Sequence, residues 1–386
     1  MINKKRLLIL TSDTGLGHRS AANAIAHAME ELHPFEVNST IVNPVFDQPS
    51  PAFLRKTQKD YDKNVTKNQD FYRFSYEISD SRWAASMVES TMVLALYRGL
   101  SHIFADIKPD VILNTNLLFN APMGSVLRAC HSDIPFYTVV TDMGDVHSIW
   151  FNSQPDGFFV ASEDVKAKGE TCCIPSEKIK ITGIPVDPSF DAARHNQKLE
   201  RQALGMDSTL PTFLFVGSPR IFGITEYLKE LEKASFPFQV VVIAGGNEAL
   251  FNEVSGRKWN FPIHVRDFVR DMPTWMACAD VLVTKAGGLI ISEGLAAGLP
   301  IILIDHLPGQ EDGNVRFVLD NQAGFCINSK DQFLPIIQSW LADDRNLLRQ
   351  VSSNAVRIGH PHAALDIAET LWQASLQKTP VLEPVL

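Results

Sequence analysis

The pattern of the chain predicts an α/β fold of two domains, each a parallel sheet covered by helices. Three observations predict it. Short apolar runs alternate with helix-period stretches from end to end, as repeated βαβ units require. That alternation breaks at 183–200, a stretch rich in Pro, Asp, Asn and His, and then restarts. A length of 386 residues also exceeds what one core usually organises but fits two.

In order, the strands of the first half are expected at Arg6–Leu10, Glu36–Val42, Val111–Asn114, Phe136–Val140, Gly157–Val160 and Lys178–Ile181. Those of the second half fall at Thr212–Val216, Gln239–Ile243, Ile263–Val265, Val281–Thr284 and Ile301–Ile304. The first domain is drawn at 1–183, a hinge at 184–200 and the second domain at 201–360. A last helical pattern, His362–Gln377, precedes a tail beginning at Pro380 that carries no pattern. Residues 45–105 have no counterpart in a simple Rossmann unit. They carry ten aromatics, Phe46, Phe53, Tyr61, Phe71, Tyr72, Phe74, Tyr76, Trp83, Tyr97 and Phe104. Met87, Thr91, Leu94 and Tyr97, with Ile103 and Phe104 beyond, recur at helical spacing.

Composition excludes several function classes. Charged residues make up 20% and apolar ones 45%, as in a folded globular chain. The net charge is −9 without a basic block, so nucleic acid is not expected as a partner. Cys130, Cys172, Cys173, Cys278 and Cys326 show neither CxxC nor zinc spacing, which suits core thiols in a reducing compartment. Met1–Leu10 holds only a short apolar run, Leu7–Leu10, and reads as a first strand rather than a signal peptide. No run approaches the ~20 apolar residues that span a bilayer.

Two glycine loops carry chemistry. The first, Thr11–Ser20, joins a strand to a helix and contains Gly15, Gly17 and His18. It lacks the third glycine of a dinucleotide fingerprint, and the next strand ends at Asn43 rather than at an acid, which disfavours a nicotinamide enzyme. His18, next to a helix N-terminus, suits a neutral general base, with Asp13 as its orienter; a capping or core histidine is the plainer alternative. The second loop follows the run Ala279–Val283. Gly287-Gly288 lets backbone amides approach an anion at the start of a helix, with Lys285 nearby. Glu293, one turn further in, could accept two ribose hydroxyls, and Gln310, Glu311 and Asn314 follow the next strand. An ordinary αβ unit with glycine turns fits the glycines equally well. Between the two loops, Thr141–Phe151 leaves an apolar strand with Asp142, Asp145, His147 and Trp150. Two carboxylates and one imidazole there are common without metal, and none is expected.

The stretches Lys285-Ala286-Gly287, Glu293, Gly298-Leu299-Pro300, Gly309-Gln310-Glu311 and Gly313-Asn314 resemble the donor region of family 28 glycosyltransferases. The pattern is most similar to monogalactosyldiacylglycerol synthases and processive diacylglycerol glucosyltransferases, and more distantly to MurG. Ser12–Arg19 resembles the synthases' Ser-Asp-Thr-Gly-Gly-Gly-His-Arg except at Leu16, and Thr141–Phe151 their Thr-Asp-x-x-x-x-His-x-x-Trp-Phe. Departures are Gly288-Leu289 for Pro-Gly, Ile290 or Ile291 for a threonine, and Asp187 for an arginine. The lost hydroxyl removes one expected phosphate contact; the charge reversal at Asp187 would repel any anion that the arginine meets.

The resemblance, from Leu8 to Gly324, implies a GT-B fold, ligands in the cleft that the hinge defines, and a C-terminal helix at 361–377 crossing back to the first domain. It implies an inverting transfer of a hexose from UDP-galactose or UDP-glucose to diacylglycerol at a membrane surface, on the cytoplasmic inner face. By it, His18 is the base and Gly15, Gly17, Asp142, His147 and Trp150 line the acceptor side. Lys285, Gly287, Gly288, Glu293, Gln310, Glu311 and Asn314 hold the donor, with uracil against the loop after Thr212–Val216 and no metal or other cofactor. The insertion at 45–105 would meet the membrane. Eight Lys/Arg against seven Asp/Glu in 45–100 give it no basic face, so core and lid packing is the competing account. A MurG-like polyprenyl-lipid transferase, a UDP-N-acetylglucosamine 2-epimerase and a non-catalytic nucleotide-sugar or lipid-binding module are the rival readings.

Overall fold

The computed structural model describes residues 4–13, 17–59, 80 and 82–377. Contacts divide the chain into two units. The first draws on the chain up to Pro188, on Pro308–Gly313 and on the segment from His362; the second on Ser189–Leu307 and Asn314–Pro361.

The first unit holds β1 (Lys5–Leu10), β2 (Val37–Val42), β3 (Val111–Asn114), β4 (Phe136–Val139), β5 (Gly157–Val160) and β6 (Ile179–Ile181), in the order β2-β1-β3-β4-β5-β6. The second holds β7 (Thr212–Val216), β8 (Gln239–Ile243), β9 (Ile263–Arg266), β10 (Val281–Lys285), β11 (Ile301–Asp305) and β12 (Gly324–Cys326), in the order β12-β11-β10-β7-β8-β9. Every pairing is parallel. β3, β5, β7, β8 and β10 are buried at each position, because helices cover both faces of such a sheet. That is why these strands read as unbroken apolar runs. β12, short and with Phe325 exposed, gives no such run and escapes the sequence reading.

Each strand order reverses once. In the first sheet the chain moves from β1 out to β2 and returns to β3 on the other side of β1; in the second, β10 returns to the far side of β7. Ligand crevices of open α/β sheets lie outside the carboxyl ends at such reversals. The loops after β1 and β3 flank one, and the loops after β7 and β10 flank the other.

The helix Ala363–Leu376 completes the first core. Ala364, Ile367, Ala368 and Leu371, each 0% exposed, pack with Ala22, Ile25 and Ala28 of the helix Gly17–Leu32. Polar clasps flank this contact. Lys5 Nζ donates to the Ser375 carbonyl at 2.6 Å, and His33 stacks on Trp372 with centroids 4.1 Å apart while its Nε2 meets Glu369 Oε2 at 3.1 Å.

The insertion contributes the helices Ala52–Lys59 and Arg82–Ile107. The longer helix is apolar on two sides. Met92, Leu96, Leu100 and Ile103 recur at i, i+4, i+8 and i+11 and join the core under β1 and β3. Met87, Leu94 and Tyr97 recur at i, i+7 and i+10 on another side and are exposed, Leu94 to 86%. Ile103 and Phe104, grouped with the outer face from sequence, belong with the core. Tyr61, Phe71, Tyr72, Phe74 and Tyr76 lie outside the described residues. Among the described residues no helix is long and apolar enough to cross a membrane.

The stretch 183–200 is not structureless. It carries the helix Ser189–Arg194 and the start of Gln197–Ala203, whose short spans are too brief to show a period. Asp187 meets an imidazole there: His27 Nδ1 lies 3.0 Å from its Oδ2.

Because Leu371 is wholly enclosed, Leu371→Ala should lower unfolding stability by about 3 kcal/mol through lost burial and a residual cavity. Urea denaturation followed by circular dichroism measures it; a loss under about 1 kcal/mol would mean that this helix does not complete the core.

Candidate active site

The first reversal point is built on buried polar side chains. Asn114, Thr115, Asn120 and Thr138 are each 0% exposed, so each must find partners or destabilise the fold. Asn114 Nδ2 donates to Asn120 Oδ1 at 2.5 Å and to the Asn116 carbonyl at 2.7 Å. Thr138 Oγ1 donates to the same Asn120 oxygen at 2.6 Å, and Asn120 Nδ2 donates to the Trp150 carbonyl at 2.9 Å. Asn116 Nδ2 donates to Ser12 Oγ at 2.8 Å, and the hydroxyl oxygens of Thr11 and Thr115 lie 2.9 Å apart. The loops leaving β1, β3 and β4 are thereby tied into one platform.

His18 stands on that platform in the first turn of Gly17–Leu32. Its carbonyl accepts from Thr115 Oγ1 at 3.2 Å, its Nδ1 lies 3.1 Å from Thr141 Oγ1, and its ring centroid is 6.2 Å from that of Trp150, tilted by 52°. Asp13, expected to orient this ring, is engaged elsewhere. Its Oδ1 accepts from Arg19 Nε at 2.8 Å and its Oδ2 from Asn43 Nδ2 at 2.7 Å. Burial alone would raise the Asp13 carboxyl, but those bonds outweigh it and hold it below its ordinary value. The guanidinium one residue beyond His18 captures the carboxylate, and a hydroxyl takes the place expected for it. Gly15 lies outside the described residues.

Three acceptor-side residues are placed differently from expectation or in more detail. Trp150 is 1% exposed and sits in the core around β5, so it backs the His18 ring instead of lining open space. His147 is buried and caps the short 3₁₀ turn Ser148–Trp150, its Nδ1 accepting from the Ile149 N–H at 3.1 Å. Asp80 Oδ1 is 3.6 Å from that nitrogen, but the contact is not an ion pair, since a nitrogen that accepts a hydrogen bond carries no proton. Burial pushes the His147 imidazole down, Asp80 opposing and Lys168 adding to the shift. Asp80 itself binds the Ser148 N–H at 2.5 Å and Lys168 Nζ at 2.9 Å; these overcome burial and hold its carboxyl low. Asp142 is half-buried beside Thr141.

The second unit presents its candidate loop at its own reversal point. Between Thr284 and Lys285 the β10–β11 register slips by one residue, setting Lys285 opposite Asp305. The Ala286 N–H donates to the Asp305 carbonyl at 2.9 Å and the Gly287 N–H to the Lys285 carbonyl at 2.8 Å. Asn314, buried, donates through Nδ2 to the Ala286 carbonyl at 3.0 Å and so fixes the turn from below. The helix Gly288–Ala296 starts at once, and its N-cap residue, Gly287, has no side chain to cap it, so its first amides offer donors and a partial positive charge suited to an anion. Gly287 has φ −73°, and a Cβ there would meet only Ile290 at 3.6 Å. Neither backbone nor packing demands glycine at this position, so the missing side chain leaves open space above the amides. Glu293 follows in the same helix, half-buried. Gln310 and Glu311 lie on 308–313, the short segment grouped with the first unit; Glu311 is 7% exposed. In the loop after β7, Phe222 is 66% exposed.

Comparison with known proteins gives the same division. A model of monogalactosyldiacylglycerol (MGDG) synthase matches residues 18–186, and the glycosyltransferase family 28 C-terminal domain matches residues 217–356. Monogalactosyldiacylglycerol synthase 3 of Arabidopsis thaliana is 29% identical over 384 residues, 97% of this chain and 82% of that protein. The spinach (Spinacia oleracea) synthase is 31% identical over 390 residues, 97% and 73% of the two chains. A probable monogalactosyldiacylglycerol synthase 2 of Oryza sativa is 30% identical, covering 98% and 82%. Among solved structures, Acinetobacter baumannii MurG superposes with TM-score 0.61 at 15% identity, covering 96% and 99%, and Staphylococcus aureus MnaA with UDP at 0.61 and 12%, covering 97% and 99%. At such identities the likeness shows the fold alone, which is GT-B.

The His147 cap carries a pH signature. With its folded value lowered, its contribution is present above about pH 6.5, the unfolded histidine value, and is lost as pH falls below that through the folded value. The thermal midpoint should therefore fall between pH 7 and pH 5. His147→Asn, which keeps an acceptor for the Ile149 N–H, should flatten this decline, while His147→Ala should cost about 1 kcal/mol at pH 7. A wild-type midpoint that does not fall over this range would contradict the buried neutral cap.

Proposed function

The chain belongs to the monogalactosyldiacylglycerol synthase family within the family 28 glycosyltransferases, and on that premise we propose that it transfers a hexose, galactose or glucose, from a UDP-sugar to the hydroxyl of diacylglycerol, with inversion at the anomeric carbon. The observation that carries this reading is His18, seated in a helix first turn between Thr141 and Trp150 in a chain of this family. Its relatives are named for galactosyl transfer, which favours galactose.

The acceptor oxygen attacks C1 of the α-linked sugar from the face opposite the diphosphate. The C1–O bond breaks, the electron pair leaves with UDP, and His18 takes the hydroxyl proton, giving a β-glycoside. Departure of the diphosphate is the step that needs positive charge. The uncapped amides of Gly288–Ala296, the open face of Gly287 and Lys285 would supply it without a metal. Glu293 would hold the ribose hydroxyls and Gln310 and Glu311 the sugar. Asn314 would act through the turn that it fixes. The exposed Phe222 ring offers uracil a stacking surface worth roughly 1 kcal/mol.

Diacylglycerol resides in a bilayer, and the outer face of Arg82–Ile107, with Met87, Leu94 and Tyr97 exposed, is the surface proposed to meet it. The same reading puts the enzyme on the inner, cytoplasmic face of that membrane.

UDP release in mixed micelles, with UDP-galactose and UDP-glucose and with and without diacylglycerol, tests the reading. Release should depend on diacylglycerol and drop at least about 100-fold in His18→Ala. Product without release of UDP, such as an epimerised sugar, would support the epimerase instead. Leu94→Glu should weaken co-sedimentation with diacylglycerol-containing vesicles; unchanged sedimentation would remove the helix from the membrane contact.

A further inference from the structure

We infer that Thr141 sets the tautomer of His18, keeping the ring proton on Nδ1 so that Nε2 holds the lone pair that removes the acceptor's proton. The inference rests on the reading of His18 as the base and goes beyond it by naming what makes one particular nitrogen basic.

A neutral imidazole has one donor nitrogen and one acceptor nitrogen, and a hydroxyl can complement either. Thr141 Oγ1 and His18 Nδ1 are 3.1 Å apart. If the hydroxyl donated, Nδ1 would hold the lone pair, Nε2 would carry the proton, and Nε2 could not act as a base. If Nδ1–H donates to Oγ1, Nε2 is basic. The same bond then persists after proton uptake, because both nitrogens of the imidazolium are donors. Only the second assignment serves the ring before and after transfer without rearranging the contact.

The surroundings keep the ring in place for that contact. Thr141 is 8% exposed, and its β-branch restricts the hydroxyl to few directions. It opens the loop that leaves β4, while Trp150, at the far end of that loop, backs the ring at 6.2 Å. Trp150 is itself held through its carbonyl by Asn120, and the His18 backbone is held through its carbonyl by Thr115. Asp13 is occupied by Arg19 and Asn43. Thr141 touches no reacting atom, so it is a positioning residue. A neutral acceptor supports the imidazolium less than a carboxylate would, and placing a carboxylate at 141 should make the ring more basic.

Long-range ¹⁵N–¹H correlation spectra of histidine-labelled full-length protein, with His18→Gln to assign the signal, test the tautomer directly. The expected result is the Nδ1–H form at neutral pH; the Nε2–H form overturns the inference whatever the kinetics. In parallel, Thr141→Val should lower kcat about 10- to 100-fold with KM for the UDP-sugar within about twofold, and Thr141→Ser should restore most of the rate. In Thr141→Asp the acid limb of the kcat/KM profile should move to higher pH, a shift that a merely structural role would not produce. Wild-type kcat in Thr141→Val beside an inactive His18→Ala would overturn the inference and leave the base reading standing. Wild-type kcat in His18→Ala would overturn both.

Discussion

A buried amide cannot be left half-satisfied, and in the first unit this constraint organises everything above it. Asn114 and Asn120 lie wholly inside, at the carboxyl edge of the sheet. Both Asn114 donors are used, and the Asn120 oxygen serves two donors at once. The partners come from β4 and from the loops after β3 and β4, so each loop has one conformation that closes the network and many that leave a donor or acceptor buried alone. Leaving one unmade costs about 1–3 kcal/mol, a substantial fraction of a domain's net stability. A rigid support for His18 follows from that penalty.

The two units solve different electrostatic problems with the same topology. In each, the strand order reverses beside the first strand of the unit, and the loops there are the ones open to a ligand. The first unit lines its reversal mainly with buried hydroxyls and amides, and its nearby Asp13 carboxylate is taken by Arg19 and Asn43, so the His18 ring meets a hydroxyl. The second leaves amides uncapped beside Lys285, an environment that awaits negative charge. Under the proposed transfer, proton removal would draw on the first environment and departure of the diphosphate on the second. Parallel sheets make this division simple, because every strand delivers its loop to the same edge.

Most strands were legible because burial on both faces leaves continuous apolar runs; β12 was not, being short with an exposed Phe325. The loop residues His18, Lys285 and Gly287 could be picked out because glycine and charge punctuate such runs. The helical face through Met87, Leu94 and Tyr97 was visible from spacing, whereas the fate of Ile103 depended on packing. What the sequence did not reveal is which polar groups pair. Arg19 and Asn43 take Asp13, and Thr141 reaches His18 across 123 positions. Asparagines such as 114, 116 and 120 are common in loops, and only their enclosure turns them into a scaffold. A cluster of Asn and Thr directly after an apolar strand is the one sequence signal that could have suggested it.

The order in which the chain leaves the ribosome adds a consequence. The helix bearing His18 lies near the beginning, and the helix that covers its apolar side, Ala363–Leu376, lies near the end. At about 5–20 residues per second, the early helix waits roughly 20–70 s for its cover. During that interval Ala22, Ile25 and Ala28 lack part of their native packing, and the nascent chain offers a chaperone an apolar surface. Truncated translation products would share the defect permanently.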